Sequence, residues 1–188
     1  MQLSSTAHPP ILETRHARWP DEAACAASAA ALAALPALRD AYVELHGPLG
    51  AGKTTFVRHL LHALGVQGRV KSPTYAVMEA YDLPASWAEH ADARVPPLEM
   101  RHFEMRQFQI RHVDFYRFDD PQEWEDAGFR DVFAAPGLKL AEWPEKAAGF
   151  LPVADLRIEI EPAAIGETRS VRYLAGTPRG RSLLEGLA

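Results

Sequence analysis

The chain has 188 residues and a formal net charge of -5 at pH 7. This length suits one α/β domain, and the acidic balance argues against a whole surface that grips nucleic acid by charge. The single cysteine, Cys25, excludes an intrachain disulfide and fits a reducing compartment. The opening MQLSSTAHPP lacks the basic start and apolar core of a signal peptide, and the alanine-rich run 23–34 is too short to cross a bilayer. We therefore expect a cytoplasmic protein with no membrane segment.

The first predicted elements are a helix, a strand and a second helix. Pro20-Asp21-Glu22 supplies a capping residue and an early acid, which predicts a surface helix that ends near Pro36. The apolar run 41–45 predicts a strand, and helix-spaced apolar residues predict a helix over 54–64 that stops at Gly65. KSPTYAVMEAY then reads as a loop that runs into a strand, followed by a proline-containing irregular segment.

The second half of the chain predicts further strands. QFQIRHVDF and GLKLAEW read as strands, separated by a helix that begins around Pro121. LRIEIEP and SVRYLAG alternate apolar and polar residues, which favours two antiparallel strands. The predicted fold is α/β, with a mostly parallel sheet flanked by helices and antiparallel strands toward the C-terminus.

The decapeptide HGPLGAGKTT between the first predicted strand and its helix fits the phosphate-loop pattern G-x-x-x-x-G-K-[ST]. Glycines let the backbone approach a ligand closely, and the N–H groups at a helix start favour an anion. Lys53 would reach the β- and γ-phosphates, and the Thr54 hydroxyl would bind Mg²⁺. A glycine turn that carries a lysine by chance is disfavoured, because both flanks have the required structure. The predicted nucleotide-binding residues are Gly47, Pro48, Leu49, Gly50, Ala51, Gly52, Lys53, Thr54 and Thr55.

Two carboxylates follow predicted strands at the edge where a parallel sheet binds ligands. Asp114 comes late in one strand and Glu142 follows another, so parallel strands would bring both near the phosphates and Mg²⁺. The alternatives are a turn aspartate and a solvated strand end. His112 could act in acid–base chemistry, but packing at a strand end is favoured.

The loop Ser72-Pro73-Thr74-Tyr75 is a candidate switch loop. The Ser72 and Thr74 hydroxyls would sense the γ-phosphate, and an ordinary turn into a strand is the alternative.

The ordered set GPLGAGKTTF, VKSPTY, HVDFYRF with DPQEWEDAGFRD, and LAEWPEK resembles the bacterial TsaE family, formerly called YjeE, over roughly residues 20–152. The resemblance implies a cytoplasmic phosphate-loop ATPase required for threonylcarbamoyladenosine formation at position 37 of tRNA. It implies ATP and Mg²⁺ as cofactors and TsaD and TsaB as partners, with tRNA reached through the complex. It matches Lys53, Thr54 and Thr55 to nucleotide-binding positions, Asp114 to the Walker B acid, Glu142 to the glutamate associated with Mg²⁺, and Ser72 and Thr74 to the switch-like loop. The candidate catalytic residues are therefore Lys53, Asp114 and Glu142, and the candidate metal-binding residues are Thr54, Asp114 and Glu142.

Two departures from the family pattern and two rival functions stay open. Cys25 stands where the family pattern usually has a threonine early in the first helix, which leaves its contribution to the nucleotide pocket open. Residues 83–109 are expected to be a surface insertion in an otherwise single domain over 1–188, with a partner or RNA contact as the alternative. A small-molecule kinase would use the same phosphate loop but needs an arginine-bearing lid, which the sequence does not show. A nucleotide-switch binding module is the second rival. No Asn-Lys-x-Asp-like guanine reader occurs, which favours ATP over GTP.

Overall fold

The structure is a computed structural model that describes residues 10–74, 77–84, 108–118, 124 and 128–187. Within these residues the strands are β1 (Glu13–Trp19), β2 (Tyr42–His46), β3 (Met78–Leu83), β4 (Phe108–Asp114), β5 (Leu138–Glu142), β6 (Leu156–Pro162) and β7 (Arg169–Ala175). The α-helices are α1 (Glu22–Ala33), α2 (Lys53–Ala63), α3 (Phe129–Ala134) and α4 (Pro178–Glu185). Short 3₁₀ turns cover Pro36–Asp40 and Pro144–Ala147.

All seven described strands form one sheet in the order β1-β7-β6-β2-β5-β4-β3. The central strands β6, β2, β5 and β4 are parallel to one another, and antiparallel strands complete both sides. The carboxyl ends of β2, β4 and β5 therefore lie at one edge, which is where an open α/β sheet binds ligands. The predicted α/β fold with a mostly parallel centre and antiparallel C-terminal strands is confirmed.

Each face of the sheet buries an apolar cluster. The larger cluster packs α1, α2 and α4 against the sheet, and Trp19 stacks on Phe56 with ring centroids 5.5 Å apart. The smaller cluster joins Tyr42 and Phe115 to Phe129 of α3 on the other face. Because the two faces are covered by different helices, the sheet has the layered architecture of an α/β domain.

Several element predictions are confirmed and others need correction. The strand and helix around the phosphate loop lie within one residue of their predicted bounds, and Asp21 caps α1 by accepting from Ala24 N at 2.9 Å. The prediction omitted β1 and α4. Residues 119–123 and 125–127 of the helix predicted from Pro121 lie outside the described residues; α3 starts after Gly128.

Most of the predicted insertion, residues 85–107, also lies outside the described part of the chain. Its ends do not, because Leu83 of β3 pairs with Phe108 of β4 in an antiparallel register. The insertion and the single-domain organisation stay predictions. None of the described helices is long and apolar enough to cross a membrane.

Candidate active site

The phosphate loop depends on glycine at both of its ends. Gly47 has φ of 139°, and a Cβ there would lie 2.3 Å from the Ile160 carbonyl oxygen of β6. Gly52 has φ of 110° and forms the N-cap of α2 without a side-chain hydrogen bond. The loop therefore runs directly into a helix start whose N–H groups favour an anion.

The predicted nucleotide-binding residues 47–55 form one continuous stretch from the end of β2 into the first turn of α2. Leu49 is 75% exposed at the tip, whereas Ala51 is buried. Thr54 faces the sheet edge, where its hydroxyl contacts Glu142, and Thr55 lines a cavity beside α1. The stretch thus borders the charged sheet edge around Glu142 on one side and the cavity on the other.

Lys53 is buried at the base of this loop. Its Nζ donates to the carbonyl oxygens of Gly47 and Pro48 at 2.6 and 3.0 Å, and it lies 3.7 Å from the centre of the Trp143 ring. Burial lowers the pKa of Lys53, although the charges of Glu142, Glu145 and Asp114 oppose that shift. Sequence reasoning did not single out Trp143; its position directly after Glu142 was the available signal.

Glu142 lies at the end of β5, in register with Asp114 at the end of β4. Its carboxylate is almost fully buried, and each oxygen has a separate partner. Oε2 accepts from the Thr54 hydroxyl at 2.8 Å, and Oε1 lies 2.9 Å from His112 Nε2. The hydroxyl and the carboxylate predicted to serve one metal are therefore in direct contact.

Asp114 accepts hydrogen bonds from both hydroxyls of the candidate switch loop. Its Oδ2 accepts from Ser72 Oγ and from Thr74 Oγ1, the latter at 2.8 Å, and its Oδ1 accepts from Tyr116 N at 2.9 Å. Asp114 is only 3% exposed. The structure thus connects the loop 72–74 to the sheet edge through this carboxylate.

A cavity of about 210 Å³ lies beside Thr55, between the phosphate loop and α1. Its lining residues are Trp19, Asp21, Glu22, Cys25, Gly50, Ala51, Gly52, Thr55, Glu167 and Arg169. Burial, assisted by the charge of Glu22 and opposed by that of Arg169, raises the pKa of the Cys25 thiol to about 11. Arg169 donates from Nε to the Ala51 carbonyl oxygen at 2.9 Å, which joins β7 to the loop. Sequence reasoning missed Trp19, Glu167 and Arg169, because only folding brings them beside the loop.

The oxygen ligands at this edge fit Mg²⁺ held together with phosphate. Among the described residues, no group of three or more His, Cys, Asp or Glu is arranged to hold a metal alone. Thr54, Asp114 and Glu142 supply hydroxyl and carboxylate oxygens, the ligand class that Mg²⁺ prefers. Mg²⁺ commonly keeps several waters and shares phosphate oxygens, so few direct protein ligands are needed.

Comparison with known proteins identifies the family. Residues 19–171 match the family model described as "Threonylcarbamoyl adenosine biosynthesis protein TsaE". The tRNA threonylcarbamoyladenosine biosynthesis protein TsaE of Haemophilus influenzae is 36% identical over 142 residues, covering 76% of this chain and 75% of that protein. Its namesake from Bacillus subtilis is 32% identical over 146 residues, covering 78% and 77%.

The chain belongs to the TsaE family. The match spans every predicted site residue, from Gly47 in the phosphate loop to Glu142 at the end of β5. The crystal structure of Bacillus subtilis YdiB has the same fold, with a TM-score of 0.63 at 24% identity over 93% of this chain and 94% of that one. The predicted TsaE resemblance is therefore confirmed, and the chain is a member of a family named for tRNA threonylcarbamoyladenosine biosynthesis.

Proposed function

We propose that this TsaE-family protein binds ATP with Mg²⁺ at residues 47–55 and hydrolyses it. In this proposal, hydrolysis supports threonylcarbamoyladenosine formation at position 37 of tRNA, together with TsaD and TsaB. The observation that carries the proposal is the contact between Thr54 and Glu142. It joins the hydroxyl next to the phosphate-loop lysine to a buried carboxylate at the ligand-binding edge of the sheet.

Lys53 and the loop backbone bind the phosphates in this proposal. The present partners of the Lys53 ammonium are two neutral carbonyl oxygens and an indole ring. A phosphate oxygen carries charge and makes a stronger hydrogen bond, so transfer of the ammonium to phosphate is favourable. The N–H groups of residues 50–55 then surround the same phosphates.

Thr54, Asp114 and Glu142 would hold Mg²⁺, which when bound neutralises charge on the β- and γ-phosphate oxygens. Because the Thr54 proton is donated to Glu142, the oxygen lone pairs of Thr54 remain available for a cation. Asp114 and Glu142 are buried and already accept hydrogen bonds, which suits acids that orient a bound water shell. The cavity beside Thr55 adjoins the loop and would receive the nucleoside.

A partner protein would receive the conformational signal from ATP hydrolysis. Ser72 and Thr74 donate to Asp114, and transfer of these bonds to a γ-phosphate would reorganise their loop. Leu49 and Tyr116, at 75% and 40% exposure, place apolar surface near the phosphate site. Exposed apolar side chains beside a nucleotide switch are suited to docking on another protein. The family resemblance names TsaD and TsaB as those partners.

The proposal is tested by ATPase assays of the purified protein, alone and with TsaD and TsaB. We expect slow hydrolysis alone and faster hydrolysis with the partners. Asp114→Asn should still bind ATP but lose turnover by about 10²–10³-fold, the usual cost of removing a group that stabilises the transition state. The control is Asp131→Asn, which neutralises an exposed acid on α3 and should leave turnover unchanged.

Cells depleted of the protein give the second test. Mass spectrometry of their tRNA nucleosides should show loss of threonylcarbamoyladenosine, restored by the unmutated protein and not by Asp114→Asn. Unchanged modified nucleoside, or rapid phosphorylation of a small acceptor by the protein alone, would instead favour a kinase. If Asp114→Asn lowers thermal stability without nucleotide yet keeps normal ATPase activity, the role of Asp114 is structural.

A further inference from the structure

His112 occupies an unusual position in the core for a polar ring. It lies in β4 two residues before Asp114, so both side chains are on the same face of the sheet. The side chain is fully buried, and Nδ1 has no hydrogen-bond partner within the described part of the chain. A buried polar atom without a partner destabilises the folded state. The reason for an imidazole at this position must therefore lie with its other nitrogen, Nε2.

That other nitrogen contacts Glu142. Nε2 lies 2.9 Å from Oε1, and because a carboxylate oxygen accepts, the ring nitrogen is the donor. The second carboxylate oxygen of Glu142 accepts from the Thr54 hydroxyl on α2. The carboxylate is therefore held from β4 on one side and from α2 on the other.

We propose that His112 is a positioning residue that orients Glu142, and through Glu142 the Thr54 hydroxyl, for binding of the Mg²⁺–nucleotide complex. This inference rests on the proposed function. The nearby Lys53 ammonium is attracted to the same carboxylate. Without the bond from His112, Glu142 is free to turn toward Lys53, and the Thr54 hydroxyl loses its fixed acceptor. Both changes disorder the groups that face the metal and the phosphates.

The test separates hydrogen bonding from packing. His112→Phe keeps a ring of similar size without a donor, whereas His112→Gln carries an amide nitrogen that can reach toward Glu142. Calorimetry measures ADP binding in EDTA and then at increasing Mg²⁺ concentrations. The control is His62→Phe, which removes an exposed histidine from α2.

We expect ADP binding in EDTA to stay within about twofold of the unmutated protein in all variants. The Mg²⁺ concentration that gives half of the maximal change in ADP affinity should rise at least about tenfold in His112→Phe, as for other residues that support metal ligands. His112→Gln should recover most of that loss, and the His62 control should show none.

Three outcomes would overturn this role. A normal Mg²⁺ requirement in folded His112→Phe means that the ring only packs, and an equally large loss in His112→Gln means that the donor is not what matters. If His112→Phe does not fold, NMR of the unmutated protein replaces it as the test. The Nε2–H proton resonance of His112 should then shift when Mg²⁺ is added to the ADP complex, and no shift contradicts the coupling. Absence of nucleotide binding by the unmutated protein rejects the proposed function itself.

Discussion

At the residue scale, Lys53 shows how the fold keeps a charged group ready for an anion. The ammonium lies against two backbone carbonyls and the Trp143 ring, and no carboxylate is among the hydrogen-bond acceptors described for it. Carbonyl and aromatic partners satisfy the ammonium without neutralising it. The positive charge therefore remains available at the base of the phosphate loop.

Lys53→Ala should weaken ATP binding by about 1.5–3 kcal/mol, because it removes a charge-assisted contact to the phosphates. That corresponds to roughly a ten- to hundredfold rise in Kd, measured by calorimetry with Mg²⁺. The control is Lys146→Ala, which removes an exposed lysine and should leave the Kd unchanged. Equal ATP affinity in Lys53→Ala and the unmutated protein would show that the nucleotide site is assigned wrongly.

At the element scale, β2 links the phosphate loop to the sheet through both its end and its polar face. Its carboxyl end passes into Gly47, which is in contact range of β6. On the face opposite the larger apolar cluster, Glu44 accepts from Tyr42 OH at 3.1 Å and contacts His46 and Arg157. The position of the loop is thus coupled to how β2 packs against β6.

Gly47→Ala should destabilise the protein more than Gly50→Ala does. Both glycines have positive φ, which strains an alanine at either position, by about 1–2 kcal/mol where the backbone is left-handed helical. A Cβ at Gly50 meets nothing within 4 Å, whereas one at Gly47 collides with the Ile160 carbonyl and forces β6 to move. Urea unfolding at equal protein concentration measures the difference. Equal losses in the two variants would mean that the contact between the loop and β6 is looser than the structure has it.

Glu44→Gln should show a stability loss that depends on pH. Burial opposes ionisation of Glu44, but bonds from His46 and Tyr42 and the charge of Arg157 outweigh it, so the pKa lies below its ordinary value of 4.5. A carboxyl whose pKa is lower in the folded state stabilises the protein fully above the unfolded value and progressively less as pH falls through the folded value. The variant should therefore lose about 1–3 kcal/mol at pH 7 and less at pH values below 4.5.

Denaturant unfolding of Glu44→Gln at pH 7 and at a pH below 4.5 measures this effect. Glu161→Gln, which neutralises an exposed acid on β6, serves as the control and should lose little at either pH. A loss of the same size at both pH values would show that the ionised carboxylate of Glu44 is not what stabilises this face.

At the scale of the whole molecule, the cavity is assembled from segments far apart in the chain. Trp19 ends β1, Cys25 lies in α1, and Arg169 begins β7, yet all three line the same cavity as Thr55. The antiparallel pairing of the edge strand β1 with β7 brings two of these segments together, since Trp19 lies opposite Arg169 in the register. One half of the candidate nucleotide site therefore depends on the outer strands.

Arg169→Met should weaken binding of ATP and ADP equally, by about fivefold. The substitution removes the hydrogen bond to the Ala51 carbonyl, worth about 1 kcal/mol, and leaves the aliphatic stem in place. It also removes the Nη1 hydrogen bonds to the carbonyl oxygens of Glu167 and Thr168, which lie within the same strand end and its approach. Arg172→Met is the matched control, because Arg172 lies on the same strand but forms an exposed ion pair with Glu159. Calorimetry with both nucleotides checks the expectation. Unchanged affinity in Arg169→Met would exclude the cavity wall from the nucleotide site.

Local patterns were sufficient to predict the central elements of this protein. Strand β2, the glycine-rich loop and α2 are specified by residues that are neighbours in sequence, because turn geometry, helix capping and apolar spacing are short-range effects. The same applies to β6 and β7, whose alternating residues match a sheet with one buried face. Residue types and their positions after predicted strands likewise identified Lys53, Thr54, Asp114 and Glu142 as candidate site residues.

Only the tertiary structure decided which groups touch. Strand β1 was not predicted, because ETRHARW has few apolar residues and is stabilised as an edge strand by pairing with β7. The contacts of Glu142 with His112 and Thr54 span 30 and 88 residues of sequence, so no local pattern could reveal them. The sequence by itself determined which residues form the glycine-rich loop proposed to bind phosphate, since that loop is local. The order of the parallel strands determined which carboxylate, hydroxyl and imidazole meet at its side, because sheet pairing joins residues without regard to their separation along the chain.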